Sequence, residues 1–379
     1  MPSVTGAIPR EQRGHFSTVP QRANFNQSSA RARRNERFNF QLLDGLPHLL
    51  GTAGLVFRPL DRQGSVMTTA ETVLLIAALL IALLIIGNVG FSKLAEWRNP
   101  PIGKFLESDG VALHYVDRGD PAAPCVVLLH GNGSMIQDFT ISGLVDLLAR
   151  SNRVVCFDRP GFGYSQRPRL RIWTAAAQAA LLVRALNQLG IRHPVVLGHS
   201  WGAFVAIALG VRKAYPIRGL VLASGYYFPT ARLDVWLMSG PAIPVLGDLI
   251  SYTVAPIISW AVLPGTLRKI FAPRAVPQTF KNEFPASLVL RPTQLRAAAE
   301  ESALLIPTAA QFQAHYSTMD HQIQIFHGTE DQVVELKQAR DLDQALLRSD
   351  LHLVPNAGHM VTYTDPAAIV QAVNSMTNS

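Results

Sequence analysis

Three residue types that together can activate an alcohol stand far apart in this chain, each just past an apolar run. Ser200 lies in Gly198-His199-Ser200-Trp201-Gly202, between PVVLGH (194–199) and an alanine-containing stretch that reads as a helix. Asp331 lies in GTEDQVV, past QIQIFHG (322–328), and His359 in NAGHM, past LHLVP (351–355). A serine hydroxyl is a poor nucleophile at neutral pH. It becomes reactive when an imidazole takes its proton and a carboxylate orients that imidazole. The pattern G-x-S-x-G between a strand and a helix presents such a serine, because the turn leaves no room for a β-carbon at the flanking positions. A lone G-x-S-x-G arises often by chance, so the weight falls on the order Ser, Asp, His with each member past a strand. Glu330 and Asp234 are alternative acids. Asp331 is preferred, three residues after Gly328 and two before Val333.

Acyl transfer also needs donors for a developing oxyanion. The residue after the nucleophile offers one backbone N–H, here Trp201. The loop HGNGSM (130–135), past an early strand, offers the second at Asn132, where Gly131 and Gly133 let the backbone come close. Arg159 and the glycines of DRPGFGYS (158–165) read as braces for these loops rather than as reacting groups. No cofactor or metal is implied, since cysteine and histidine spacing offers no ligand set and no dinucleotide or phosphate loop is present.

These groups need a sheet edge to meet on. Apolar runs at 111–117, 125–130, 153–158, 194–199, 217–224, 322–328 and 351–355 read as strands, the first two as neighbours. Helices are expected at 174–190, from Gly202 to about Lys213, near 335–347 and at 365–376. Alternating strands and helices imply a mostly parallel sheet covered on both faces, with active groups at the strands' carboxyl ends. The rhythm breaks at 226–316, rich in proline and aromatics, which reads as a helical insertion above that edge, where a lid belongs.

Of the 379 residues 48% are hydrophobic and 16% charged, enough for a large core, and the net charge is +8. The basic residues are spread, and the densest run, Arg31 to Arg37, lacks interleaved aromatics, so nucleic-acid binding is not expected. Cys125 and Cys156 sit in or beside apolar runs and read as free buried thiols. Residues 72–91, TVLLIAALLIALLIIGNVGF, carry no charge and are long enough to span a hydrocarbon core of about 30 Å. They read as a single-pass transmembrane helix and not as a cleaved signal peptide, for want of a small-residue cleavage pattern. Nine arginines precede it, but Lys93, Arg98 and Lys104 follow closely, so the orientation stays open, as does a start at Met67. Residues 1–66 read as a mostly disordered, arginine-rich arm.

Taken together, H-G-x, D-R-x-G-x-G-x-S, G-H-S-x-G and the downstream Asp331 and His359 resemble the α/β-hydrolase superfamily over roughly 105–378, in its serine-nucleophile branch. The resemblance implies an eight-stranded α/β fold over 100–379, with a helical lid at 226–316 after the sixth strand. It implies Ser200, Asp331 and His359 as catalytic triad and Asn132 and Trp201 as oxyanion hole. Haloalkane dehalogenases of this superfamily also carry an asparagine after H-G and a tryptophan after the nucleophile, but their nucleophile is aspartate. An alkyl ether on Ser200 could not be hydrolysed, so acyl transfer is favoured. The expected activity is cleavage of hydrophobic carboxylic esters through an acyl-enzyme on Ser200. Hydrolysis of a carbon–carbon bond in a β-diketone-like compound stays open as an alternative, as does a tethered, non-catalytic binding protein.

Overall fold

Short β-branched runs bounded by glycine, proline or aspartate become the strands, because a strand buried on both faces needs no polar alternation. The computed structural model describes residues 67–212 and 215–378. Its strands are β1 (Lys104–Ser108), β2 (Val111–Arg118), β3 (Cys125–Leu129), β4 (Arg153–Phe157), β5 (Val195–His199), β6 (Gly219–Ala223), β7 (Gln322–Gly328) and β8 (Ser349–Val354). They form one eight-stranded sheet in the order β1-β2-β4-β3-β5-β6-β7-β8. β1 pairs antiparallel with β2 and β2 with β4; every other pairing is parallel.

One expectation needs correction. β2 and β3 are not neighbours, because β4 lies between them: Cys156 of β4 is in register with Val116 of β2 on one side and with Leu128 of β3 on the other. The short link from Arg118 to Cys125 invites a hairpin reading. The chain instead steps over the place that β4 later fills. The edge strand β1, half-exposed and polar, carries no apolar run and was not among the expected strands.

Helix α1 is Thr69–Arg98. The others that pack the sheet are α2 (Gln137–Ile141), α3 (Leu144–Leu148), α4 (Ala175–Gln188) and α5 (Trp201–Val211). Between β6 and β7 stand α6 (Leu233–Met238), α7 (Leu246–Tyr252), α8 (Ala255–Phe271), α9 (Gln278–Glu283), α10 (Ala286–Val289) and α11 (Pro292–Phe312). The last are α12 (Leu336–Ala345), α13 (Val361–Thr364) and α14 (Pro366–Thr377). Val127, Leu129, Val196 and Leu222 pack against α4, α5 and α12 on one face, and Val126, Leu128, Val195 and Val221 against α3 and α14 on the other. Cys125 and Cys156 fall in these two separate cores as free, buried thiols, and burial pushes the Cys125 pKa up to about 12.

Helix α1 runs three residues earlier and seven later than the apolar stretch 72–91. Thr68 Oγ1 accepts from the Glu71 N–H and the Glu71 carboxylate accepts from the Thr68 N–H, a reciprocal cap that starts the helix sharply. Among its residues only Ala95 is buried, and its length and composition are sufficient to cross a bilayer. Its last turns touch the insertion: Asn88 Nδ2 donates to the Tyr252 and Thr253 carbonyls at 2.8 and 2.9 Å, and Glu96 pairs with Arg291 at 3.0 Å. The arginine-rich arm, 1–66, lies outside the described residues.

Candidate active site

Strand β5 ends at His199, and Ser200 turns the chain into α5 with φ 53° and ψ −121°. That backbone is costly for any residue with a β-carbon and persists only where the surroundings enforce it. The two glycines show how tight the turn is. A β-carbon on Gly198 would overlap the backbone of Gly202 and Ala203, and one on Gly202 would overlap the carbonyl oxygens of Leu129 and His130. Gly202→Ala is therefore expected to cost about 2 kcal/mol or more in urea unfolding, with loss of activity. A fully active, equally stable variant would show that the turn has room to spare.

His359 comes from the loop after β8 and Asp331 from the loop after β7. His359 Nε2 lies 2.9 Å from Ser200 Oγ and His359 Nδ1 lies 2.8 Å from Asp331 Oδ2. The second oxygen, Asp331 Oδ1, accepts from the Val333 and Val334 amides at 2.8 and 3.0 Å. Burial raises the Asp331 pKa, but the charge and hydrogen bond of His359, His327 nearby and the Val334 amide more than offset this and leave it below the ordinary carboxyl range. It stays ionised, so Nδ1 of His359 carries the proton and Nε2 is left to accept from the serine. Glu330 is exposed and Asp234 is tied to Arg232, which holds its pKa down at about 2; neither is bonded to His359.

Asn132 and Trp201 border the serine, but their side chains are committed elsewhere. Asn132 Nδ2 donates to the Ala298 carbonyl and to Ser302 Oγ at 3.0 and 3.2 Å, and the Trp201 indole N–H donates to the Glu301 carbonyl at 3.0 Å. All three acceptors are on α11, so the halide grip of the dehalogenases has no free donors here. What remains are the backbone N–H groups. That of Trp201 opens a helix and has no intrahelical acceptor, and that of Asn132 has none among the described residues.

Arg159 fixes this loop from below. Fully buried, it donates to the carbonyls of His130 and Gly131 at 2.7 and 2.9 Å and forms a two-pronged ion pair with Glu301 of α11, shared with Gln178. His130 accepts the Arg159 N–H on Nε2, so its Nδ1 proton goes to the Gly131 carbonyl, and burial holds it neutral. The loop that offers the Asn132 amide is thus clamped between sheet and insertion.

Two groups beside the serine, His199 and Asp138, were not among the expected site residues. His199 Nε2 donates to the His359 carbonyl at 3.0 Å, which leaves a lone pair on Nδ1 facing Asp138 Oδ2 at 3.8 Å. Burial lowers the His199 pKa to about 3 and raises that of Asp138 to about 6. A carboxylate and an imidazole lone pair repel, and a proton on Asp138 relieves both. The folded state therefore holds this proton more tightly than an unfolded chain does. The resulting stability is complete below the ordinary value of 3.8 and lost as the pH rises to about 6. Asp138→Asn, which cannot ionise, is expected to gain on the wild type between pH 4 and pH 8 by on the order of 2 kcal/mol in urea unfolding. Parallel pH curves for the two proteins would refute the assignment.

A parallel sheet with the order β4-β3-β5-β6-β7-β8, a serine on the turn after β5 and its partners past β7 and β8 define an α/β-hydrolase architecture. The chain belongs to the Alpha/beta hydrolase family, whose family model matches residues 126–372. A curated relative, the 2-hydroxy-6-oxo-2,4-heptadienoate hydrolase of Pseudomonas putida, is 26% identical over 282 residues, 73% of this chain and 96% of the relative. Haloalkane dehalogenase 2 of Mycobacterium bovis is 27% identical over 207 residues, 54% of this chain and 66% of the relative. Among solved structures, a thermophilic esterase from Thermogutta terrifontis superposes with a TM-score of 0.58 at 19% identity, covering 73% of this chain and 98% of the esterase. Groups of three or more residues suited to hold a metal ion are absent among the described residues.

Proposed function

We propose that the protein is a membrane-anchored serine hydrolase that cleaves uncharged, hydrophobic carboxylic esters. The observation that carries this reading is the unbroken relay from Ser200 through His359 to Asp331. His359 takes the hydroxyl proton as Ser200 Oγ bonds to the ester carbonyl carbon. The oxyanion rests on the Asn132 and Trp201 amides, and the alcohol leaves with the proton from His359. Water, deprotonated by the same imidazole, then cleaves the acyl-enzyme and restores Ser200. Helix α1 supports the anchor, being uncharged throughout 72–91 with none of those residues buried.

Carbon–carbon hydrolysis is the second reading, favoured by the likeness to the heptadienoate hydrolase, whose named substrate carries a carboxylate. Recognition of a carboxylate calls for a cation in the site. Arg159, the arginine bonded to the loop at 130–133, spends its guanidinium on two carbonyls, Gln178 and Glu301. That commitment favours a neutral substrate. Full-length protein in detergent micelles, assayed against p-nitrophenyl esters of increasing chain length and against a vinylogous diketone acid, tests the choice. Ester turnover that rises with chain length supports the proposal. Turnover of the diketone acid without ester cleavage would overturn it.

A further inference from the structure

Between α6 and the end of α8 the chain is almost uncharged. Residues 235–267 hold one ionisable carboxylate, Asp248, and it is paired with Arg169 and Arg296. The apolar side chains here do not turn inward. Trp236 and Trp260 are 73% and 69% exposed, and Leu237, Val245, Ile257 and Ile258 are exposed with them. The two indoles alone present on the order of 300 Å², about what the largest patch of an ordinary soluble surface reaches in total.

This face continues the apolar surface of α1. Phe91 of α1 and Trp260, Leu263 and Pro264 of α8 line a shared cleft of about 390 Å³. The bend between α7 and α8, 64°, meets α1 at Asn88, three residues before the end of its apolar stretch and so about 4.5 Å inside it. Carbonyls freed by a bend are costly in hydrocarbon unless protein satisfies them. Asn88, itself costly there, donates to those of Tyr252 and Thr253. Each removes the other's penalty. The last turn of α8 carries Arg268 and Lys269, both exposed, where a helix rising out of the bilayer meets headgroups. In the same turn the Ile270 carbonyl accepts the His359 N–H at 3.1 Å.

We propose that the exposed face of α6–α8 is a second membrane-contact surface, sunk into the same leaflet that α1 leaves, so that α8 runs from the hydrocarbon to the loop of His359. The proposal rests on the reading of α1 as an anchor and adds to it. Its occupant is the lipid bilayer, because the face is continuous with α1 and its one polar junction is sealed by Asn88.

The test uses the full-length chain in phosphatidylcholine vesicles containing lipid spin-labelled at mid-chain. Variants Leu80→Cys in α1, Leu237→Cys, Ile258→Cys and, as an exposed polar control, Lys337→Cys each carry a fluorophore. Quenching at Leu237→Cys and Ile258→Cys within about twofold of that at Leu80→Cys, with none at Lys337→Cys, is expected. Quenching at Leu80→Cys alone overturns the proposal and leaves the anchor standing. No quenching at Leu80→Cys overturns both. Energy transfer between copies at Ile258→Cys without lipid quenching assigns the face to a second copy and also overturns it. Independently, Leu237→Ser/Ile258→Ser/Trp260→Ser is expected to lower turnover of a vesicle-borne long-chain ester about tenfold, with a soluble butyrate ester unaffected. Wild-type turnover of the vesicle-borne ester by this variant would refute the membrane role.

Discussion

Ser200→Ala is expected to lower kcat by a factor on the order of 10⁴ to 10⁶, leaving only what binding and the oxyanion donors supply. The fold should not change. Alanine keeps the β-carbon that Ser200 already carries at φ 53°, and the lost hydroxyl has His359 as its partner. A fluorophosphonate probe should therefore add one equivalent of label to the wild type, at Ser200, and none to the folded variant. Ser302 also borders this loop, and it is a poor substitute. Its hydroxyl donates to the Ala298 carbonyl one turn back and accepts from Asn132, with no base in reach. Label on Ser302, or a folded wild type that takes no label, would sink the proposed chemistry.

Much of the sheet was legible because buried parallel strands leave plain marks: unbroken β-branched runs closed by Gly198, Gly328 or Asp158. The positions of Ser200, Asp331 and His359 past β5, β7 and β8 follow from those marks and from the rule that parallel strands deliver their carboxyl ends to one edge. The neighbours of a strand are set differently. β2 and β3 are adjacent in sequence and separated in space, since a crossover is decided by which later segment fills the gap. Sequence pointed to backbone donors at Asn132 and Trp201 but could not say what their side chains hold. Their side-chain donors are claimed by α11, whose approach depends on the buried Arg159–Glu301 pair, 142 residues apart. Asp138 was invisible for a related reason. Helix α2 is five residues long, too short for a periodic pattern, and an aspartate in a short polar segment reads as solvent-facing.

Asp331→Asn should lower kcat about 10³- to 10⁴-fold with little change in KM, and the reason is a tautomer rather than a lost contact. Asp331 Oδ1 accepts from the Val333 and Val334 amides, so the amide oxygen of the variant must take that place. Its NH₂ then points at His359 Nδ1, which has to become an acceptor. The imidazole proton moves to Nε2 and faces Ser200, and the nitrogen that should receive the hydroxyl proton can no longer do so. Geometry survives while the direction of proton flow is wrong. Labelling by the fluorophosphonate should slow in step with kcat, and the urea midpoint should move far less than activity does. Glu330→Gln provides the contrast, since Glu330 is exposed and its backbone N–H, not its carboxylate, bonds the Ala357 carbonyl. Its rate should stay within about twofold of wild type. If Glu330→Gln abolished turnover while Asp331→Asn retained it, the acid of the relay would have to be reassigned, and the imidazole would have to turn in the substrate complex to reach it.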